Sequence, residues 1–480
     1  MRHVIVGAGP AGIAALETIR QLGAADDEIT LIGDEPAYAR MALPYWAAGE
    51  VPRAHVFIAD GSYFEKLRIK THFGRRVKTV DTAAKQLTLD DGLVVAYDRL
   101  LIATGSSPTR PPVPGADLPG VLSFWNLDDA QRVISAVEGG RRVVLVGAGF
   151  IGLIVLNALY KRGLDLTVVE VAPHVLPRML DATGAAMVTK WLEKKGVKVH
   201  APAKVSGIEL GADGKPRVHL AGGPTLATDL VIMATGIRTN TGFLKGSDVK
   251  VNEGVLVNEH LESSAPGVYA AGDVAEGPVL GGGRAVHAIQ PTAVEHGRVA
   301  GANMAGANRS GKAITYKGSL LINVLDVCDL HCASFGEWAQ DRDVTTVVNE
   351  RRPIYRKLVW QDDRLVGASV VGPKADVTLL NDLGMVKGMI QSGVAFGAVK
   401  GHLAKMPFEI RKAYIQLGVA PLLYKETLLG VPSVDRAYRF AGARPPGGPV
   451  GPHADIVGTR PEAMETAAAT PTPGIFKPKP

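Results

Sequence analysis

Apolar residues along the chain fall into short runs bounded by glycines, and one run is unusually long. No charged side chain occurs from residue 143 to residue 160, and by length alone this run could be a membrane-spanning helix. Its internal pattern favours two elements instead. RRVVLV is short and β-branched, like a buried parallel strand, and LIVLNALYKRG predicts a helix that ends at Gly163. We therefore predict a strand followed by a helix, with no membrane span.

The glycines between these two elements have the spacing of a dinucleotide-binding turn. Gly147, Gly149 and Gly152 form Gly-x-Gly-x-x-Gly, and the next strand, DLTVVE, ends in Glu170. In this motif the first glycine permits a tight turn and the second lets the backbone approach a pyrophosphate at the start of the helix. The third glycine lets the helix pack on the strand.

The same pattern occurs a second time, at the beginning of the chain. HVIVGAGPAG contains Gly7, Gly9 and Gly12, and the following strand leads to Asp34 and Glu35. Both copies also end alike, since 85–105 and 216–236 each predict a hairpin and a return strand ending in Ala-Thr-Gly. The chain therefore contains an internal repeat of two units, and we expect each unit to bind one nucleotide.

The motifs give two sets of predicted cofactor-binding residues. In the first copy they are Gly7, Gly9, Pro10, Ala11, Gly12, Asp34, Glu35, Ala103, Thr104 and Gly105. In the second copy they are Gly147, Gly149, Phe150, Ile151, Gly152, Glu170 and Gly236.

Composition narrows the class of protein. With 480 residues, several domains are expected, and 46% hydrophobic and 21% charged residues are typical of a globular protein. Two cysteines exclude a disulfide-stapled secreted scaffold and indicate a reducing compartment such as the cytoplasm. No signal peptide is predicted at the start. The net charge of +6 is spread along the chain, so nucleic-acid binding is disfavoured.

The repeat resembles the pyridine nucleotide–disulfide oxidoreductase superfamily, flavoproteins with two dinucleotide-binding domains. The resemblance implies FAD in the first site and NAD(H) in the second. APGVYAAGDVAE (265–276) is similar to the family's second FAD motif, in which Gly272 and Asp273 would end a strand at the ribityl chain. The following segment, 289–306, resembles the helix whose positive N-terminus points at the flavin.

The resemblance also implies the fold and the domain limits. The fold class is α/β, with two Rossmann-like domains and an α+β C-terminal interface domain, in which 355–372 predicts a hairpin turning at Asp362–Asp363. The expected limits are an FAD domain over 1–111 and 247–312, an NAD domain over 112–246, an interface domain over 313–443, and a disordered tail over 444–480.

The cysteine inventory decides between branches of this superfamily. Disulfide reductases carry two cysteines on the helix after the first motif, and another branch uses one cysteine before Gly-Leu-Pro-Tyr. Here no cysteine precedes Cys328, and Met41 stands at the single-cysteine position. A thioether forms neither thiolate nor sulfenic acid. Flavin is therefore expected to be the sole redox centre, and Cys328 and Cys332 are interpreted as buried structural thiols.

The segment Arg40–Tyr45 then resembles flavoproteins that reduce rubredoxin or ferredoxin or feed nitrite reductases. In that branch Arg40 would contact the FAD phosphates or ribose, the alternative being an ordinary surface charge. The implied partner is a ferredoxin- or rubredoxin-like protein, or an iron–sulfur subunit of a larger complex. DEPAYARMALPY also resembles NADH-linked flavoprotein subunits of 2-oxoacid oxidoreductases such as phenylglyoxylate dehydrogenase. An oligomer or complex subunit is expected.

Two residues bear on the nicotinamide. Glu170 favours NAD(H), because a carboxylate binds the ribose hydroxyls and repels a 2′-phosphate. Many relatives have a glutamate near the flavin–nicotinamide contact, where this chain has Ile154. A catalytically impaired FAD-binding scaffold is therefore a third hypothesis. The pattern requires no general acid, general base or metal ligand.

Overall fold

The computed structural model describes residues 1–306, 312–341, 343–423 and 428–429. The predicted tail over 444–480 lies outside the described residues. Within them, no helix is long and apolar enough to cross a bilayer. The charge-free run consists of a strand and a helix, as predicted.

The elements follow the chain in four parts. The first part contains β1 (Arg2–Val6), α1 (Pro10–Leu22), β2 (Glu28–Gly33), α2 (Leu43–Ala48), α3 (Gly61–Lys66), β3 (Ile69–Phe73), β4 (Val77–Asp81), β5 (Gln86–Leu89), β6 (Val94–Ala96), β7 (Arg99–Ile102) and β8 (Ser106–Pro108). The second contains β9 (Val121–Ser123), α4 (Leu127–Ala136), β10 (Arg142–Val146), α5 (Phe150–Tyr160), β11 (Asp165–Val169), α6 (Ala182–Lys194), β12 (Lys198–His200), β13 (Val205–Leu210), β14 (Pro216–Leu220), β15 (Thr225–Ala227), β16 (Leu230–Met233) and β17 (Ile237–Thr239).

The third part returns towards the first, and the fourth forms the C-terminal sheet and helices. The third contains β18 (Val255–Leu256), β19 (Val268–Ala270), β20 (Ala275–Pro278), β21 (Arg284–Val286) and α7 (Gln290–Met304). The fourth contains β22 (Ile322–Val327), β23 (Leu330–Gly336), β24 (Val344–Asn349), β25 (Ile354–Gln361), β26 (Arg364–Pro373), α8 (Val377–Ser392), α9 (Ala398–Lys405), α10 (Ile410–Gln416) and α11 (Val419–Leu423).

Two parallel sheets repeat one strand order. The first runs β19-β7-β1-β2-β3 and the second β9-β16-β10-β11-β12, so the strand before each glycine turn lies at the centre. In both sheets the outermost strand beside the return strand, β19 or β9, comes from outside the repeated segment. The internal repeat predicted from the glycine motifs is therefore a repeat of structure, with strands buried on both faces as parallel sheets require.

Each copy also carries a small antiparallel sheet. The predicted hairpins are present as β5–β6 and β14–β15, and each return strand, β7 or β16, follows its hairpin. Each hairpin gains a third strand that the sequence pattern did not predict, β4 in the first copy and β13 in the second.

The C-terminal sheet is antiparallel, in the order β22-β23-β26-β25-β24. The predicted hairpin at Asp362–Asp363 joins β25 to β26, and Asp362 has the positive φ of 56° that such a turn uses. Cys328 and Asp329 form the turn between β22 and β23, so Cys328 and Cys332 do not lie on one strand.

Helix α2 packs far from its neighbours in sequence. Its buried residues Leu43 and Ala47 belong to the same hydrophobic cluster as α5, the second parallel sheet and the β22–β23 hairpin. The Lys161 ammonium pairs with the Glu50 carboxylate at 2.6 Å, just beyond the ends of the two helices. This packing brings the first copy, the second copy and the C-terminal sheet together around one space.

Candidate cofactor site

The two glycine turns have the same geometry. Gly7 and Gly147 have φ of +117° and +106°, and a Cβ at either would lie 2.1 or 2.3 Å from a carbonyl oxygen of the return strand's Ala-Thr-Gly segment. A Cβ at Gly12 or Gly152 would lie 2.0 Å from the carbonyl oxygen of the turn's first glycine. These four positions therefore require glycine for folding alone.

The middle glycines differ from the other four. A Cβ at Gly9 or Gly149 would meet nothing within 4 Å, so each is open towards the space in front of the helix. The first N–H groups of α1 and α5 lack partners within their helices and are available to an anion. An open middle glycine before a helix start is the arrangement that fits a pyrophosphate.

Both turns open into a single cavity of about 1890 Å³. Its walls include most of the predicted binding residues: Gly7, Gly9, Pro10, Ala11, Asp34, Glu35, Arg40, Ala103, Thr104, Gly105, Gly147, Gly149, Phe150, Ile151, Glu170, Gly236, Gly272 and Asp273. Gly12 and Gly152 are not in the wall, in keeping with their close contact with the turn backbone. One cavity thus joins two sites, each suited to a dinucleotide. We call the site at the turn Gly7–Gly12 the first cradle and the site at the turn Gly147–Gly152 the second cradle.

The Ala-Thr-Gly turns of the two copies are joined to each other. Strands β8 and β17, which follow them, pair antiparallel. Asn240 donates from its side chain to the Thr104 carbonyl oxygen at 2.9 Å and accepts from the Ser107 hydroxyl at 2.7 Å. The Thr235 hydroxyl donates to the Thr109 carbonyl oxygen at 2.7 Å. The two halves of the cavity are therefore fixed relative to one another.

The acidic residues that follow β2 in the first copy and β11 in the second copy do not occupy equivalent positions. Gly7 N–H bonds to the Ile32 carbonyl and Gly147 N–H to the Val169 carbonyl, so Gly33, and not Asp34, occupies the position of Glu170. The Glu170 side chain is buried, and its carboxylate accepts from Ala148 N–H at 2.6 Å and Ala172 N–H at 2.8 Å.

Of the two acids in the first copy, both of which line the cavity, Glu35 is the less exposed. Asp34 is exposed and pairs with Arg76 at 2.9 Å. The Glu35 carboxylate accepts from the Tyr38 hydroxyl and from Arg40, the latter at 3.2 Å.

Arg40 is held rigidly at the cavity wall. Its guanidinium lies 5.0 Å from the ring centre of Trp125 and 5.5 Å from that of Tyr38, and it donates to the Trp125 carbonyl oxygen at 2.6 Å. A guanidinium fixed between two aromatic rings keeps its remaining donors directed, unlike a mobile surface charge.

Asp273 follows β19 and lines the cavity beside Ser106. Its carboxylate accepts from the Ser106 hydroxyl at 2.8 Å. Burial raises the pKa of Asp273, although the Ser106 hydrogen bond acts in the opposite direction. An acceptor with one hydroxyl partner, at the edge of the first cradle, suits a polyhydroxyl chain.

Neither cysteine lines the cavity. Cys328 and Cys332 are buried free thiols in the β22–β23 hairpin. Burial raises the pKa of Cys328 to about 12 and raises that of Cys332 as well. Both thiols are therefore inert, as expected from the sequence. Among the described residues, no three His, Cys, Asp or Glu side chains are grouped to hold a metal ion.

Sequence reasoning missed several residues of the wall. Ser106 contacts Asp273 and Trp125 contacts Arg40 across distant parts of the chain, whereas Tyr38 contacts Arg40 locally. Ser106 directly follows the first Ala-Thr-Gly, which is the one local signal that could have identified it. Trp125 carries no local signal.

Comparison with known proteins agrees with this geometry. Residues 1–297 match the family described as pyridine nucleotide-disulphide oxidoreductase. The chain belongs to this family. Residues 322–384 match the rubredoxin NAD+ reductase C-terminal domain. The predicted family and fold class, and the cofactors FAD and NAD(H), are thereby confirmed.

Three relatives show the range of the family. Nitrite reductase [NAD(P)H] of Bacillus subtilis is 30% identical over 78% of this chain, and the chain spans about half of that relative, 46% of its length. The NADH-dependent phenylglyoxylate dehydrogenase subunit epsilon of Aromatoleum evansii is 29% identical over 75% of this chain and 86% of its own length. The structure of the ferredoxin reductase for the CYP199A2 system of Rhodopseudomonas palustris has 25% identity and a TM-score of 0.74, covering 86% of this chain and 99% of that one.

Proposed function

We propose that this chain is an FAD-dependent NAD(H) oxidoreductase that exchanges electrons with a separate iron–sulfur or similar redox protein, without a redox-active cysteine. The observation that carries the proposal is the single cavity that joins both glycine turns and contains no thiol. Met41 lies in the cavity wall. It occupies the position at which the single-cysteine branch of the family has its catalytic cysteine.

The first cradle is assigned to FAD. Gly7, Gly9, Pro10, Ala11 and Gly12 would form the pyrophosphate turn, with Glu35 or Asp34 at the ribose. Arg40 would reach the phosphates or ribose, and Asp273 after Gly272 the ribityl chain. Ala103, Thr104 and Gly105 would form the wall beneath the cofactor. The matching domain limits, 1–111 with 247–312, 112–246 and 313–443, belong to the same proposal.

The second cradle is assigned to NAD(H). Gly147, Gly149, Phe150, Ile151 and Gly152 would form its pyrophosphate turn, with Gly236 opposite. Glu170 favours NAD(H) over NADP(H), because a buried carboxylate at the end of β11 repels a 2′-phosphate. A bound FAD would supply the two-electron to one-electron chemistry between NADH and the acceptor, and the two turns would hold it beside the nicotinamide.

The chain's own residues would position the two cofactors, and the pattern assigns none of them as a general acid or base. The hydrogen bonds of Asn240 to Thr104 and Ser107 join the two Ala-Thr-Gly turns and would hold the two cradles at a fixed separation. The N-terminus of α7 lies in the cavity wall, where its positive end favours negative charge on the first cofactor. Overall, NADH and two oxidised acceptors would give NAD+, a proton and two reduced acceptors.

The partner class is inferred from the relatives. A ferredoxin reductase covers nearly the whole of the described fold, and the C-terminal segment matches a rubredoxin reductase domain. We therefore propose a ferredoxin- or rubredoxin-like acceptor, or an iron–sulfur subunit of a larger complex. An oligomer or complex belongs to the same proposal, and the two free cysteines favour a cytoplasmic location.

Reduction of an iron–sulfur partner tests the proposal. FAD-loaded protein should reduce added ferredoxin or rubredoxin with NADH, and Cys328→Ser and Cys332→Ser should retain that rate. Loss of the rate in either variant at unchanged FAD content would contradict a cysteine-free path.

A second candidate is an NADH-linked subunit of a 2-oxoacid dehydrogenase complex of the phenylglyoxylate type. It is favoured by the match to subunit epsilon over 86% of that relative's length. Native purification distinguishes the two: co-purifying thiamine-dependent and iron–sulfur chains favour the complex, and a free protein active with added ferredoxin opposes it.

The third hypothesis, an impaired scaffold, rests on Ile154 in the wall where relatives have a carboxylate. Anaerobic addition of NADH or NADPH tests this hypothesis. The flavin of an impaired scaffold would keep its visible absorbance with either nicotinamide.

A further inference from the structure

A connecting segment, residues 314–322, lies along α7 and leads to the C-terminal sheet. Near the end of α7, the Asn303 side chain bonds to the N–H and the carbonyl oxygen of Ile314, at 2.7 and 2.9 Å. Further along, the Tyr316 hydroxyl donates to the Glu295 carboxylate at 2.9 Å. Because the partners on α7 move towards its start as the segment advances, the segment runs antiparallel to α7 and enters β22 beside the start of the helix.

The last contact of this series is made by His287, a buried residue in the cavity wall just before α7. Its Nε2 accepts from the Ile322 N–H at 3.2 Å, where β22 begins. With Nε2 as the acceptor, Nδ1 carries the ring proton and donates to the Thr292 hydroxyl at 2.9 Å. Thr292 lies in the first turn of α7, so the ring joins this turn to the edge strand of the C-terminal sheet.

Close packing on α1 fixes the middle of α7 and not its start. A Cβ at Gly297 or Gly301 would lie 2.2 or 2.7 Å from a carbonyl oxygen of α1, so the two helices are in backbone contact there. At the start, Ile289 in the cap position makes no side-chain cap, and Pro291 has no N–H to donate. The link through His287 therefore positions the first turn, the part of α7 that lies in the cavity wall.

We propose that His287 is a positioning residue that sets the balance between the oxidised and the reduced form of the cofactor in the first cradle. The positive end of α7 stabilises the negative charge that a reduced flavin carries, and this effect falls off within the first turn. Loss of the link through His287 should therefore displace the first turn and favour the oxidised form. The inference rests on the proposed binding of FAD and names a residue that controls it.

The ring acts through its position and not through a charge of its own. Burial lowers the pKa of His287, although the hydrogen bond to the Ile322 backbone acts in the opposite direction. His296, the titratable side chain next to it on α7, is also buried, and burial lowers its pKa to about 3. At pH 8 both imidazoles are neutral. A shift of the cofactor's balance measured at that pH therefore cannot result from the loss of a cation.

Equilibration with a redox dye tests the proposal without nicotinamide and without turnover. FAD-loaded protein is reduced slowly under anaerobic conditions at pH 8 with phenosafranine present. The ratio of reduced to oxidised flavin is then read at the point where half of the dye is reduced. We expect His287→Ala to lower this ratio at least about threefold relative to the wild type, because the helix start no longer faces the cofactor. FAD content should be unchanged.

Thr292→Val breaks the same link from the other side and leaves the ring in place. It removes the hydroxyl while keeping the shape of the side chain, and it should lower the ratio in the same direction as His287→Ala. The matched control is Thr189→Val on α6, whose hydroxyl bonds to the Ala185 carbonyl oxygen away from the cavity wall. This control should leave the ratio within about 1.5-fold of the wild type, because the helix end in the cavity is untouched.

Two results would overturn the role of His287. One is a wild-type ratio in both His287→Ala and Thr292→Val at full FAD content. The other is an equal shift in Thr189→Val, which would indicate a general loss of stability. A wild-type protein that takes up no FAD would contradict the proposed function itself, whereas one that holds FAD and is reduced by NADH, with no shift in the variants, would contradict only this inference.

Discussion

The two middle glycines separate cofactor binding from folding at the scale of single residues. Gly149 has ordinary φ, and its Cβ would enter empty space, whereas Gly147 has a positive φ and a carbonyl oxygen 2.3 Å from its Cβ position. Substitution of the first should therefore affect the ligand, and substitution of the second should affect the fold.

Gly149→Ala is expected to keep the unfolding free energy of the wild type and to raise the Kd for NADH at least tenfold, because the methyl group occupies the pyrophosphate approach. FAD content should be unchanged. Gly9→Ala is the matched variant and should lower FAD retention instead. Calorimetric titration with NADH checks the first effect, and the FAD absorbance that remains after purification checks the second. A reversal of the two effects would show that the two cofactor sites are wrongly assigned.

His296 makes stability depend on pH. Burial lowers its pKa to about 3, since the ring packs edge-on against Tyr316 and is 2% exposed. Because the folded state holds this imidazole neutral while the unfolded state protonates it near its usual pKa, its contribution is present above about pH 6.5 and is lost as pH falls.

Acidification from about pH 7 to about pH 5 should therefore cost about 2 kcal/mol through His296 alone. Urea unfolding at the two pH values measures this difference. His296→Gln should reduce the pH dependence, and the exposed His55→Gln should leave it unchanged. Equal pH dependence in all three proteins would contradict a buried neutral imidazole.

At the scale of elements, local patterns predicted the repeat and missed what depends on distant contacts. The glycine spacing and β-branched runs predicted β10, α5 and β11 because both strands are buried at every residue after the first. The third strands β4 and β13 are mostly exposed and each contains a register shift, so they show no apolar alternation. The order of strand and acid likewise gave Asp34 and Glu35 the role of Glu170, whereas the hydrogen-bond register places Gly33 at the position of Glu170.

The packing of α2 on α5 is the clearest case of information outside the local sequence. Nothing in LPYWAA indicates a partner more than a hundred residues away, yet this contact forms one side of the cavity. The site residues that were predicted belong to turns with a strict backbone requirement. Those that were missed, such as Trp125, act on Arg40 from another part of the chain.

One link between elements joins α6 to the C-terminal sheet. Asp181 caps α6 by accepting from Gly184 N–H at 3.0 Å, and it also accepts from the Tyr355 hydroxyl on β25. The Lys357 ammonium, whose side chain is 3% exposed, lies 3.6 Å from the same carboxylate.

Asp181→Ala is expected to lower the unfolding free energy by about 3 kcal/mol, because it removes a cap and leaves a buried ammonium with one carboxylate fewer. Tyr355→Phe should cost about 1 kcal/mol. Asp376→Ala is the control, since Asp376 caps α8 without a buried cation and should cost about 1 kcal/mol. Denaturant unfolding decides, and an equal loss for the two aspartates would contradict the link.

At the scale of the whole molecule, two copies of one nucleotide-binding unit and a C-terminal sheet surround a single thiol-free cavity. The ferredoxin reductase structure shares this fold, and the names of the relatives record different substrates and redox partners. The two glycine turns therefore account for the shared cofactors, and the remaining walls of the cavity are where redox partners can differ.

Anaerobic titration of the FAD-loaded protein with NADH tests the central claim most directly. If the flavin is the sole redox centre and shares its cavity with the nicotinamide, one equivalent of NADH should remove the flavin's visible absorbance completely. A requirement for two equivalents would reveal a hidden disulfide or other redox centre. An absorbance unchanged by excess NADH would contradict the account as a whole.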